Sequence, residues 1–186
     1  MARPREFETE SAMEGAMTIF WRQGFRATNL PELLDAMGLT RGSFYKAFED
    51  KESVYLGALD RYDEIVITQT LEKLQGSDAP TASACLEQIF LPSATSKCGC
   101  FICNAMVELG PDNPKVAAKT KAMAARLKSG IVRVLEHHGI GETPQRRDEL
   151  GDVVLHLYFG HQAVGKSGAA DKDWGATLKR ILGESD

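Results

Sequence analysis

Thr28-Asn-Leu-Pro-Glu-Leu-Leu-Asp-Ala-Met-Gly-Leu-Thr-Arg-Gly-Ser-Phe-Tyr-Lys-Ala-Phe48 holds two short helix signals back to back. Asn29 with Glu32 three residues on has capping-box spacing, and Pro31 falls in the first turn, where its missing N–H costs little. Gly38 closes that helix of about two turns, and Thr40 caps an equally short one from Arg41 to Phe48. Leu33, Leu34, Met37 and Leu39 form one apolar face, and Phe44 and Phe48, four apart, point into a core. Arg41, Gly42, Ser43, Tyr45 and Lys46 are left exposed. Upstream, residues 6–24 space Phe7, Ala12, Met13, Ala16, Met17, Ile19 and Phe20 as one apolar face, ending at Gly24. Three helices joined by tight turns predict a helix-turn-helix module. The plainer alternative is a helical hairpin inside a larger bundle, with Arg41 and Lys46 as solvated charges.

If the third helix enters a major groove, its N-terminal end carries the contacts. Arg41 suits a guanine edge or a phosphate, and Gly42 lets the backbone come close. Tyr45 and Lys46 suit phosphate or sugar, and Thr40 and Ser43 are further DNA-binding candidates. Thr28 at the start of the second helix offers a hydroxyl to a phosphate, and Lys51 is a further phosphate candidate.

Downstream the helical period continues. A long helix is expected from Lys51 to Gln75 with Tyr55, Leu59, Tyr62, Ile65, Val66 and Leu71 inward. Thr81 caps a segment to Leu91, stopped by Pro92. Cys100 to Leu109, Lys115 to His138, a helix opening at Thr143-Pro144, and one opening at Asp171 or Asp173 complete the set. The class is all-α with about nine helices: an N-terminal three-helix DNA-binding domain over 1–51 and a helical domain over 52–186.

Composition limits the function. The 186 residues are 43% apolar and 26% charged, an ordinary globular balance that excludes disorder of the whole chain. No stretch approaches the roughly 18–20 apolar residues of a membrane span, and the N-terminus meets glutamates too early for a secretory signal, so a cytoplasmic protein without membrane partners is expected. The net charge of −4 argues against a charge-driven nucleic-acid coat. Even residues 1–51 hold seven Lys/Arg against eight Asp/Glu. Arrangement carries the signal instead: Glu6, Glu8, Glu10 and Glu14 lie on the first helix, leaving Arg3, Arg5, Arg41, Lys46 and Lys51 to face DNA. With so few cations, non-specific affinity should be weak at physiological salt.

Gly24-Phe25 then Thr28, Ala36-Met37-Gly38-Leu39-Thr40, and Gly42-Ser43-Phe44-Tyr45-Lys46-Ala47-Phe48 with Lys51-Glu52 together resemble the tetracycline-repressor (TetR) family of bacterial transcription regulators. The likeness spans roughly residues 10–55. Pro31, and Lys46 and Ala47 where histidine is often seen, depart from the family pattern and bear on which bases are read. Gly99-Cys100-Phe101-Ile102-Cys103-Asn104 with Glu108, then Asp112-Asn113-Pro114-Lys115-Val116, is similar to a segment of one broad branch of that family. The resemblance implies a homodimeric repressor that binds a palindromic operator and is released by a small-molecule effector held in the C-terminal domain. It implies no catalysis and no cofactor.

For the effector wall, Phe90, Cys103, Met106, Met123, Leu127 and Tyr158 are the candidates, with a plain core stripe as the alternative. For the dimer interface they are Leu157, Tyr158, Val164, Trp174, Leu178 and Ile181. Cys98, Cys100 and Cys103, with Cys85, could instead sense oxidants or electrophiles or hold a thiophilic metal; ordinary packing is the simpler reading. His156 and His161, five apart, do not have the spacing of a metal pair, so no metal site is expected. An all-helical enzyme or adaptor is the reading from another class.

Overall fold

The computed structural model describes residues 3–91, 96–168 and 172–184, with side chains from residue 9 onward except Ser96. Arg3, Arg5, Glu6, Phe7 and Glu8, as side chains, and Pro92 and Asp171 therefore lie outside the described residues. Every regular element among those described is helical. In chain order they are α1 (Arg3–Gln23), α2 (Leu30–Met37), α3 (Arg41–Ala47), α4 (Lys51–Tyr62), a π turn (Asp63–Ile67), α5 (Thr68–Gln75), α6 (Ala82–Glu87), a 3-10 turn (Ser96–Cys98), α7 (Phe101–Glu108), α8 (Pro114–His137), α9 (Pro144–Gly165) and α10 (Trp174–Leu182). Helices α4 and α5 with the π turn are one continuous run, so the expected helix of residues 51–75 is present with one irregularity.

That irregularity has a readable effect. A π turn takes one residue more than an α turn, which moves the inward stripe along the chain. Tyr55, Leu59, Tyr62 and Leu71 are buried as expected, but Ile67 takes the buried place between them, and Ile65 and Val66 are only half-buried. Helix α6 is shorter than expected. After Glu87 the amides of Gln88, Ile89 and Phe90 donate three residues back, to Cys85, Leu86 and Glu87, so the segment tightens into turns.

The residues form two compact units. The first comprises residues 1–65 and 101–120, so it reaches past residue 51 and takes in α7 and the start of α8. Its core is aromatic. Tyr55 packs edge-on against Phe20 at 5.0 Å and Phe101 at 5.6 Å, while Tyr62 meets Trp21 at 5.0 Å and Phe101 at 5.6 Å. Edge-to-face pairs of this kind add to the burial energy of the rings. Gly15 sets the closeness of α1 and α2, because a Cβ there would lie 1.9 Å from the Ala36 carbonyl oxygen. Arg61 pairs with Glu14 at 2.6 Å, and Lys119 on α8 pairs with Asp60 on α4.

The second unit comprises residues 66–100 and 121–186. Helices α6 and α10 pack together and cap one another. Glu184 accepts from the Ala82 amide at 2.8 Å at the head of α6, and Glu87 accepts from the Gly175 amide at 3.0 Å at the head of α10. Each carboxylate satisfies donors that a helix start leaves open. Phe90 stacks on Trp174 at 4.6 Å and meets Tyr158 edge-on at 5.9 Å.

This packing corrects two expectations. Tyr158 and Leu178 are buried inside their own unit, at 8% and 0% exposure, and are not available to a second copy. Leu157, Trp174 and Ile181 are half-buried, whereas Val164 is exposed on α9.

Candidate nucleic-acid interface

The α2–α3 corner is built from its own residues. Asn29 caps α2: its side-chain oxygen accepts from the Glu32 amide at 2.9 Å, and the Glu32 carboxylate accepts from the Asn29 amide at 3.1 Å. The same carboxylate accepts from Gln23 Nε2 at 3.1 Å, tying the end of α1 to the start of α2. Gly38 ends α2 at φ +64, with its amide on Asp35 and the Leu39 amide on Leu34. Thr40 then caps α3, its hydroxyl accepting from the Ser43 amide at 3.2 Å. Phe44 is fully buried and anchors α3.

With Phe44 inward, one outer face remains. Thr40, Arg41, Gly42, Ser43, Tyr45 and Lys46 are all exposed. Tyr45 is 54% exposed, unusual for so large an aromatic, and the Arg41 guanidinium lies 5.9 Å from the centre of its ring. A Cβ at Gly42 would meet nothing nearer than Thr40 Oγ1 at 4.0 Å, so no packing within the chain requires a glycine there. The face combines donors, one flat ring, two cations and a bare stretch of backbone, and it carries no carboxylate.

Two expected contacts are placed differently. Thr28 is 0% exposed and its hydroxyl donates to the Gly24 carbonyl at 2.6 Å, so it closes the α1–α2 turn and does not reach a phosphate. Lys51 is half-buried; its ammonium donates to the Phe25 carbonyl at 2.5 Å and sits 4.2 Å from the Phe25 ring centre. Burial lowers its pKa from the usual lysine value, and the Glu108 charge opposes that shift.

Glu108 enters the sequence only as part of a family-like segment, with no role of its own. From the last turn of α7 its carboxylate accepts from the Phe25 amide at 2.9 Å and the Arg26 amide at 2.6 Å. Asn104, four residues earlier and so on the same face of α7, donates to the Trp21 carbonyl at 3.4 Å. Arg26 adds an exposed pair with Asp112 at 2.9 Å. The Asn104/Glu108 spacing is visible in the sequence; its target, the turn after α1, is not.

The remaining candidates are scattered. Phe90, Met123, Leu127 and Tyr158 are buried in the second unit, while Cys103 and Met106 belong to the first. None of the six lines either of two hollows on the second unit, of about 360 Å³ and about 200 Å³. None of the four cysteines is in a disulfide, and Cys100 is only 2% exposed. Among the described residues no helix is long and apolar enough to cross a membrane.

A capped three-helix module presenting such a face defines a helix-turn-helix transcriptional regulator. Residues 12–58 match the family model of bacterial regulatory proteins of the tetR family. The chain is 28% identical over 187 residues to the HTH-type transcriptional repressor ComR of Escherichia coli (strain K12), covering 97% of this chain and 86% of that protein. It is also 28% identical over 194 residues to the HTH-type transcriptional repressor BdcR of the same strain, covering 98% and 94%. In fold it is similar to the TetR family transcriptional regulator CifR, solved as a cysteine mutant with 26-base-pair operator DNA. The TM-score is 0.77 at 22% identity, over 94% of this chain and 95% of that one. Residues 12–58 thus carry a DNA-binding module of the tetR kind, and the likeness to named repressors over nearly the whole chain marks the protein as a regulator of transcription.

Proposed function

We propose that the protein is a ligand-responsive repressor that binds a palindromic operator as a homodimer in the bacterial cytoplasm. The observation that carries this reading is the outer face of α3, where Arg41, Gly42, Ser43, Tyr45 and Lys46 stand clear of their own unit. ComR and BdcR are named repressors, and the CifR structure is of an operator complex, which supports the same assignment. Two copies related by a two-fold axis present two α3 helices to half-sites roughly 34 Å apart. An exposed stripe on α9 supports pairing: Val153 and Val164 are 44% and 54% exposed, with Leu157 and Gly160 between them on the same face. An effector that favours the DNA-incompetent arrangement by about 1–3 kcal/mol releases the operator.

A gel-shift titration with the chain's own upstream DNA tests the reading. A discrete, sequence-specific complex is expected from the dimer. Arg41→Ala should weaken it by about 1–3 kcal/mol and relax specificity at one base pair, whereas Tyr45→Phe should weaken all sequences alike. A folded dimer that gives no specific complex overturns the proposal.

A further inference from the structure

The smaller hollow of the second unit, about 200 Å³, opens where α5 and α8 end. Leu74, Cys85 and Val134, all buried, supply its apolar lining, and Gln75, Ser77, Arg133, His137 and His138 its polar one. No carboxylate lines it. Arg133 is exposed, its Nε donates to the Ser129 carbonyl at 3.3 Å, and among the described residues no acid pairs with its guanidinium. The nearest acid in sequence on α8, Glu136, lies 4.0 Å from Arg147 instead. His137 and His138 meet edge to face, at 5.0 Å between ring centres.

Cations near a helix C-terminus complement the helix dipole, and that alone would account for positive charge at the end of α8. It does not account for a concave apolar pocket beside a guanidinium that has no acid of its own. A few convergent polar groups over an apolar lining are the usual makeup of a small-molecule site. An arginine presents a planar fork that takes a carboxylate in two hydrogen bonds, and each imidazole adds an N–H in either protonation state. At roughly 30 Å³ per water-sized group the hollow takes about six or seven such groups, enough for one ring with its carboxylate at the exposed rim.

We propose that this hollow binds a small organic carboxylate, with its compact apolar body on Leu74, Cys85 and Val134 and its carboxylate on Arg133, His137 and His138. The site stands without the DNA-binding reading; its use as the effector site rests on that reading.

Benzoate is the probe, measured by titration calorimetry on the full chain, with benzamide as the uncharged isostere and acetate as the head without a body. Benzoate should saturate one site per chain, and benzamide and acetate should each bind at least tenfold more weakly. Arg133→Gln should weaken benzoate at least tenfold with an unchanged melting temperature. If that variant does not fold, the exposed change His137→Gln should weaken benzoate several-fold. Absence of saturable benzoate binding, equal binding of benzamide or acetate, or undiminished binding by the folded variant overturns the proposal. Gel shifts on the same samples keep the two readings apart: operator binding with no benzoate binding overturns only the site, and benzoate binding with no operator complex overturns only the regulator.

Discussion

The turn after α1 and the turn after α2 both reverse the chain on a glycine in the left-handed region and both have local hydrogen bonds, yet only the first is also held by partners far along the sequence. At Gly38 the amides of Gly38 and Leu39 return to Asp35 and Leu34, and Thr40 caps the next helix, α3. At Gly24 the next two amides donate to Glu108, 83 and 82 residues away, and the Phe25 carbonyl accepts a hydrogen bond from the Lys51 ammonium, 26 residues away. A turn closed by its neighbours is set by local chemistry, and one closed from afar is set by the packing of the whole unit. The position of α2 and α3, and so of the DNA-facing surface, depends on both kinds.

The largest effect is expected from Glu108→Ala. Two amides lose a charged acceptor, and denaturant unfolding should show a loss of about 2–3 kcal/mol after allowance for their partial exposure. Glu108→Gln, which keeps an acceptor without the charge, should lose roughly half as much. Next comes Gly24→Ala. At φ +88, and with the new Cβ 2.7 Å from the Glu108 carboxylate, it should cost about 2 kcal/mol. Gly38→Ala, at φ +64 with nothing within 4 Å, should cost only the backbone strain of about 1 kcal/mol. Equal losses for the two glycine variants would mean that the remote carboxylate does not constrain the first turn. The smallest effect is Thr28→Val, which removes one buried donor for about 1 kcal/mol. Its operator affinity, measured where the variant is fully folded, should match the parent; a specific loss there would restore Thr28 as a phosphate contact.

The same contrast explains how much is legible in the sequence. Helix α2 falls at Leu30–Met37 and α3 at Arg41–Ala47, where Asn29, Glu32, Gly38 and Thr40 predict them, because caps act over three or four residues. Thr143 and Asp173 cap α9 and α10 for the same reason. Thr28 and Lys51 mislead because a hydroxyl or ammonium at a helix start looks alike whether it faces solvent or a neighbouring carbonyl. The inward stripe of residues 51–75 is legible to Tyr62 and then slips, since one π turn leaves no compositional mark. The six pocket candidates share only apolar character, which buried side chains on any helix share, so periodicity does not tell a wall from a core.

The first unit is completed out of order during synthesis. Residues 1–65 leave the ribosome before 66–100, and the helix bearing Asn104 and Glu108 comes after both. At 5–20 residues per second, about 2–9 s separate the making of residue 65 from that of Glu108. During that interval the α1–α2 turn has its glycine and its lysine but lacks its acceptor. A chimera that joins residues 1–65 to a foreign effector domain would carry the same vacancy permanently, unless the graft also supplied an α7 with a glutamate in register.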